Sequence, residues 1–164
     1  MPYFSKFPLM GYTANNNIDY DVVTDITRRG ALSNQIKANF SVYDEYDIKD
    51  GETPEHVSHK FYDTTDYHWV ILLLNDVIDP RYEWVMPQDV LYRYCESKYA
   101  DAFAIHHYVD IDTDLIVDSD FPGATSVSNY QYEEALNETR RRIKILKPEY
   151  ITGIAAEFDR LINE

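Results

Sequence analysis

The first half of the chain carries its clearest pattern of apolar and polar positions. Alternate residues from Phe40 to Ile48 form a mainly apolar face, which predicts a strand. Thr53-Pro54 then supplies the N-cap and first-turn residues of a helix over 54–62. Asp66 can cap a second helix over 67–74, and this helix is apolar on nearly every side, so we expect it to be buried. The pattern predicts a small βαα core.

The second half predicts one more helix, a long strand and a helical end. Helical spacing runs from Pro87 to about Tyr99 and places Cys95 inward. Residues 104–117 alternate throughout, which predicts a strand or long hairpin arm with an acidic outer face. Ser128-x-x-Gln131 fits a capping box, and the apolar positions that follow it continue at helical spacing to Leu146. Pro148 begins a last helix.

Residues 1–40 look irregular by comparison. Their first twelve residues are rich in large apolar side chains without helical or strand spacing, and only a short alternation before Ile26 indicates an extended strand. No compact core can be built from this segment alone. We therefore predict an extended arm that lies along another surface, either the rest of this chain or a partner. We favour the partner, and we expect removal of residues 1–12 to spare folding but abolish assembly.

These patterns predict an α+β protein with three parts. Residues 1–40 form the extended N-terminal arm, and residues 41–117 form the βαα core with an inserted helix and a long strand. Residues 118–164 form a loop and a C-terminal helical pair.

Composition narrows the possible functions. The 164 residues carry a formal net charge of −14, so nucleic acid and anionic lipid would be repelled. A single cysteine excludes an internal disulfide, and the longest apolar run, residues 69–74, is too short to cross a bilayer. The N-terminus lacks the pattern of a signal peptide, so we expect synthesis in the cytoplasm. The 15 tyrosines are typical of surfaces that meet partners.

No set of side chains has the spacing of a catalytic or metal site. His56 and His59 lack the glutamate of a zinc-protease helix, and the Asp110-x-Asp112-x-Asp114 run lacks the glycine and glutamate of a calcium loop. We interpret those aspartates as alternate residues of a strand facing water. The basic run from Arg140 to Lys147 is interpreted as winding around a solvated helix end. We expect no catalytic residue, no cofactor and no metal.

Two motifs resemble the LysM module. Residues 46–62 have its opening strand, its Gly-Glu-Thr turn and its capped helix, and Leu73-Leu74-Asn75 resembles the end of its second helix. The resemblance implies a LysM-like βαα(β) core, whose closing strand would lie either at Glu83–Val85 or within Ala104–Asp112. Acidic residues flank the groove where such modules bind glycan, so we expect weak or absent binding of peptidoglycan: they are Asp50, Glu52 and Asp76.

A wider set of motifs is similar to the LysM-containing baseplate wedge subunit of T-even-like contractile-tailed phages. These motifs include Phe4-x-x-Phe7-Pro8, Thr24 to Arg29, and residues 145–150. The resemblance implies a structural, non-enzymatic virion protein of the tail baseplate that joins neighbouring wedge subunits in a multi-copy assembly. The alternative is a LysM-type module that binds peptidoglycan or chitin oligosaccharides.

We expect the arm and the last two helices to contact neighbouring subunits, because neither shows a partner within the chain for all its apolar residues. The predicted partner-binding residues are Phe4, Phe7, Pro8, Tyr12, Arg28, Arg29, Tyr132, Arg141 and Tyr150.

Overall fold

The fold is of the α+β class, which confirms the prediction from sequence. The computed structural model describes residues 3–13, 20–28, 30, 39 and 41–163. The described strands are β1 Leu9–Tyr12, β2 Asp21–Thr24, β3 Tyr43–Asp47, β4 Ile105–Asp110, β5 Ile116–Val117, β6 Ala124–Ser128 and β7 Arg142–Leu146. The described α-helices are α1 Pro54–Tyr62, α2 His68–Leu74, α3 Pro80–Glu83, α4 Gln88–Lys98, α5 Asn129–Thr139 and α6 Pro148–Ile162.

The chain folds into two compact units. The first takes its described residues from Met1–Tyr46, Glu52–Ile78 and Ile143–Glu164, and the second comprises Asp47–Gly51 and Asp79–Arg142. Along the chain, most of the second unit is therefore inserted between α2 and β7. The three-part division at residues 40 and 117 stays a prediction about organisation, and the compact units group segments from more than one of those parts.

The first unit contains the elements β3, α1, α2 and β7 in chain order. The Thr53 side chain caps α1 in a capping box with His56, and Pro54 occupies the first turn. β3 and β7 form a two-stranded sheet. Lys147 N donates to Val42 O, and Ile48 N donates to Arg141 O, each at 2.9 Å. Residue numbers rise on one strand as they fall on the other, so the pair is antiparallel.

Asn75 joins the end of α2 to β7. Its side-chain amide donates to Lys144 O at 2.8 Å, and its side-chain oxygen accepts from Lys144 N at 2.8 Å. The same amide also donates to Ile71 O at 2.9 Å, one of the last carbonyls of α2. A second tie comes from Tyr62, whose hydroxyl donates to Leu146 O at 2.8 Å, and burial raises the pKa of this phenol.

The core of the first unit lies between α2, α6 and the N-terminal segment. α6 presents a buried stripe at helical spacing, made of Ile151, Ala155, Phe158 and Ile162. The Phe158 ring packs against Trp69 of α2 with centroids 4.6 Å apart. The other buried members of this cluster are Phe7, Tyr43, Val70, Leu74 and Leu146.

The second unit has its own sheet and core. Its strands lie in the order β5-β4-β6, with antiparallel pairing on both sides of β4. A buried cluster of Met86, Leu91, Cys95 and Ala102 connects α4 with the loop before β4. Burial opposes ionisation of Glu133, but hydrogen bonds from Lys98 and Tyr99, each 2.6 Å, outweigh it and lower the pKa of this carboxyl.

Several predicted elements agree with the structure. The helix predicted over 54–62 is confirmed residue for residue by α1, and the capping box of Ser128 and Gln131 opens α5. The helices begun by Pro87 and Pro148 are present as α4 and α6. Cys95 is buried as expected. Phe40, where the first predicted strand begins, lies outside the described residues.

The helix predicted to continue to Leu146 is wrong. α5 ends at Thr139, and the chain then forms β7. The physical reason is the alternation in Arg142–Leu146, where Ile143 and Ile145 are buried while Arg142 is exposed and Lys144 is half-buried. The basic run from Arg140 to Lys147 therefore lies mainly in a strand and does not wind around a helix. This strand, β7, is the one that pairs with β3. Neither Glu83–Val85 nor Ala104–Asp112 does so.

Three other predictions need correction. The long strand over 104–117 is interrupted after Asp110, whose carboxylate accepts from Asp112 N and Thr113 Oγ1 and so forms a turn. The aspartates after it are therefore turn residues, not strand residues. Glu83 was expected to begin an extended segment, but it is the last residue of α3. The helix cap predicted at Asp66 is also absent. Instead, Thr64 caps a short 3-10 turn that precedes α2.

Candidate partner-binding surface

Phe7 fixes the N-terminal segment to the core of the first unit. Its side chain is only 5% exposed. Its ring lies 5.5 Å from that of Phe4 and 6.4 Å from that of Phe158 on α6. Of the two surfaces that the sequence left open for the arm, the core of the chain itself receives Phe7, because this side chain packs in the cluster between α2 and α6.

Lys6 adds a charged contact beside Phe7. Its ammonium group lies 2.8 and 2.9 Å from the two carboxylate oxygens of Asp159, and it sits 5.5 Å from the centre of the Trp69 ring. The side chain of Asn163 donates to Lys6 O at 3.1 Å. The residues just before β1 are thus held by the last turn of α6.

The residues after β2 return to the same helix end. Arg28 donates to Ile162 O at 2.8 Å, where unpaired carbonyls at the end of α6 favour a cation. Asp25 closes the turn by accepting from Thr27 Oγ1, Thr27 N and Arg28 Nε, and these contacts lower the pKa of its carboxyl. The chain that enters β1 and the chain that leaves β2 are therefore both anchored to α6, at the base of the pair.

Gly30 lies against the same ring as Phe7. A Cβ at this position would come 2.0 Å from Cε2 and 2.7 Å from Cζ of Phe158. That ring is buried in the core cluster, where it packs against Trp69 and Phe7. The close approach therefore requires glycine.

We expect Gly30→Ala to lower the free energy of unfolding by ~1–3 kcal/mol, the usual cost of overpacking. The matched control is Gly153→Ala in the middle of α6, where an added Cβ meets nothing within 4 Å. Alanine is the better helix former, so this control should gain ~0.5–1 kcal/mol. Urea denaturation of both variants measures the difference. Equal stabilities would contradict the placement of Gly30 against Phe158.

Between these anchors, β1 and β2 form what we call the ribbon, residues Leu9–Tyr12 and Asp21–Thr24. The strands pair antiparallel with Leu9 opposite Thr24 and Gly11 opposite Val22, so these four residues share one face. Leu9 is 69% exposed and Val22 is 72% exposed. On the opposite face Tyr12 and Val23 are also exposed.

The ribbon thus leaves apolar side chains uncovered on both faces. A single two-stranded hairpin is marginally stable in water, and natural sheets cover at least one face. Further exposed side chains continue the patch beside the ribbon, namely Phe4, Tyr20 and Ile26. A surface of this kind is typical of a protein–protein contact.

The structure distributes the predicted site residues of the N-terminal segment between core and surface. Phe4 and Tyr12 are exposed, whereas Phe7 is buried. Pro8 is half-buried, and its carbonyl accepts from Asp25 N at 2.8 Å, which extends the ribbon pairing by one step. Arg28 bonds to the end of α6. Arg29 lies outside the described residues.

Two of the other three predicted site residues have side-chain partners within their own units. In the second unit, the Tyr132 ring stacks on His106 with centroids 4.0 Å apart. Arg141 pairs with Glu138 and donates to Ile48 O at 2.7 Å. In the first unit, Tyr150 is exposed in the first turn of α6. Partner binding by these residues stays a prediction.

Sequence reasoning missed the residues that build the ribbon and its base, including Leu9, Val22, Lys6 and Gly30. A signal was present, since Asn15-Asn16-Asn17 is a turn sequence between two short apolar runs. The anchors had no such signal, because Lys6 and Asp159 lie 153 residues apart in the chain.

The residues tested for metal and glycan chemistry have structural roles. Nδ1 of His56 accepts from Thr53 N in the α1 capping box. Glu52 accepts from the Tyr46 hydroxyl and pairs with Lys60, and Asp50 accepts from Gln88 N. Within the described residues, no group of three or more metal-ligating side chains occurs, and no helix is long and apolar enough to cross a membrane.

Comparisons with known proteins show which family the chain resembles. The family described as base plate wedge protein 53 matches residues 1–122 of the 164. The chain is also 25% identical over 188 aligned positions to baseplate wedge protein gp53 of Enterobacteria phage T4, and the alignment covers 99% of this chain and 95% of that protein. Because the family match includes well over half of the residues, the chain belongs to the base plate wedge protein 53 family and has a structural role in the phage tail baseplate.

Proposed function

We propose that this protein joins neighbouring wedge subunits in the tail baseplate of the virion, and that the ribbon is its main contact surface. The single observation that carries the proposal is the combination of exposed apolar faces with a fixed base. Leu9 and Val22 are exposed on the same face of the ribbon, while Phe7, Lys6 and Arg28 hold the base of the ribbon on α6.

The energetics favour this role. Full burial of a leucine or valine side chain is worth ~1.5–3 kcal/mol, so covering even two of the exposed side chains would stabilise an interface substantially. Because the base of the ribbon is already held, a partner need not order this segment from a free chain, and less conformational entropy is lost on binding. The role requires no catalysis, and we propose a non-enzymatic protein without cofactor or metal.

We further propose that the first unit is built on a LysM-like framework. The support is the order β3-α1-α2-β7, an antiparallel strand pair with two helices between its strands, closed by the Asn75 contacts to Lys144. In this interpretation the framework serves as a rigid mount for the segment 1–40, which acts as the arm. The family favours this structural role over the alternative of a glycan-binding module.

The partners we propose are other wedge subunits in a multi-copy assembly, without nucleic acid or membrane. The strongly negative charge disfavours contacts with phosphate groups. The site of action is the assembled baseplate, after synthesis in the host cytoplasm.

Charge substitutions on one face of the ribbon test the proposal. We expect the double variant Leu9→Glu and Val22→Glu to keep its melting temperature and to fail to co-purify with the other wedge proteins of its phage when they are co-expressed. Both side chains are exposed in the isolated chain, so only a partner would have to bury the new charges.

The control is Ile111→Glu, a side chain that is 68% exposed in a turn of the second unit. This variant should co-purify as the unaltered protein does. Normal assembly of the double variant would contradict the proposal, and so would equal loss of assembly in the control.

A further inference from the structure

Three aromatic rings form a cluster on the surface of the second unit. The centroids of Tyr92, Phe103 and Tyr130 lie 6.1, 6.2 and 6.3 Å apart in the three pairings. Phe103 is 65% exposed, and Tyr92 on α4 is also exposed. Tyr130 is partly buried against the core of the second unit, whereas Phe103 and Tyr92 present their rings to solvent.

A cavity of about 280 Å³ opens beside these rings. It is lined by Tyr92, Glu96 and residues 100–103, and we call it the aromatic–acidic pocket. Two hydrogen bonds from the start of α5 fix the loop that lines the pocket, residues 100–103. Tyr130 N donates to Ala102 O at 2.8 Å, and the Asn129 side chain donates to Asp101 O at 2.9 Å. Ala102 itself is buried, so the pocket is formed before any ligand arrives.

The two carboxylates of the pocket are not neutralised by a cation among the described residues. The nearest basic residues along the chain are engaged elsewhere, Arg93 with Asp89 and Lys98 with Glu133, each at 2.6 Å. Glu96 instead accepts a hydrogen bond from the Tyr92 hydroxyl, which raises the pKa of that phenol. Aromatic faces and unneutralised carboxylates together favour a cation.

We propose that the aromatic–acidic pocket binds an arginine side chain from a neighbouring protein. A planar guanidinium can stack on Phe103 or Tyr92 while its N–H groups reach Glu96 and Asp101. The occupant is a basic segment of a different protein, because a second copy of this chain carries the same charge of −14 and would be repelled. The pocket shares no residue with the ribbon, so the proposal for the pocket and the proposal for the ribbon can be tested independently.

The test uses the full, isotope-labelled chain and the peptide acetyl-Gly-Arg-Gly-amide as the probe. Titration followed by amide NMR shifts should give saturable changes confined to residues around 92 and 101–103. Phe103→Ala and Glu96→Gln should each weaken binding by roughly fivefold or more, since each removes one recognition element.

Two controls make the outcome decisive. The same peptide with citrulline in place of arginine has nearly the same shape without the charge, and it should bind far more weakly. Phe121→Ala removes another exposed ring of the second unit, and it should leave binding unchanged. Shifts spread evenly over the acidic surface, equal binding of the citrulline peptide, or no effect of the pocket variants would overturn the proposal.

Discussion

Replacement of Phe7 by alanine should lower the free energy of unfolding by ~3–5 kcal/mol, the range for a buried phenylalanine. The ring lies in the cluster that includes Trp69 and Phe158, so its loss leaves a cavity between α2 and α6. Urea denaturation followed by far-UV circular dichroism measures the change. Removal of residues 1–12 takes away this ring and the Lys6–Asp159 ion pair, so it should destabilise the fold as well.

Phe4→Ala is the matched control for Phe7→Ala. The two rings are in contact, but Phe4 is 55% exposed, so its loss leaves little cavity and should cost less than ~1 kcal/mol. If Phe7→Ala proves as mild as Phe4→Ala, the N-terminal segment is not part of the core. The original expectation, that truncation spares folding, would then be restored.

The second large effect is expected at Asn137, which is buried on α5. Its side-chain oxygen accepts from Met86 N at 2.8 Å, and its amide donates to Met86 O at 2.9 Å. Asn137→Ala leaves both backbone groups of a buried residue without these bonds, at ~1–3 kcal/mol for each unpaired group. Thermal and urea unfolding should therefore show a loss of ~2–6 kcal/mol.

Asn163→Ala is the control for this substitution. Asn163 also makes two side-chain hydrogen bonds to carbonyls, of Lys6 and Asp159, but it is exposed, so water can replace them. Its loss should cost less than ~1 kcal/mol. Equal losses in the two variants would show that burial of the Met86 groups is not what makes Asn137 important.

Local signals predicted the helices well. Thr53-Pro54, Ser128-x-x-Gln131 and Pro148 mark helix starts through contacts within a few residues, and each helix begins where its signal stands. The spacing of buried residues on α6 is likewise a property of the helix alone. The family resemblance pointed to the baseplate, and the family match confirms it.

The sequence patterns could not predict contacts between segments that are far apart in the chain. Ile143 and Leu146 fit a helical stripe as well as a strand, and only pairing with β3, about a hundred residues earlier, decides for the strand. The burial of Phe7 depends in the same way on α6 at the other end of the chain. Only one strand of the ribbon could be predicted, because the sequence alternates over residues 18–26, which include β2, whereas β1 contains Gly11 and shows no alternation.

The central claim is that a neighbouring baseplate protein covers the ribbon, and site-specific photo-cross-linking in assembled baseplates tests it most directly. A benzoylphenylalanine is placed at Val22, with a second chain labelled at Asp44, an exposed residue of β3, for comparison. The account predicts that irradiation links residue 22 to another wedge protein in good yield, whereas residue 44 gives little product. Efficient cross-linking at residue 44 with none at residue 22 would contradict it.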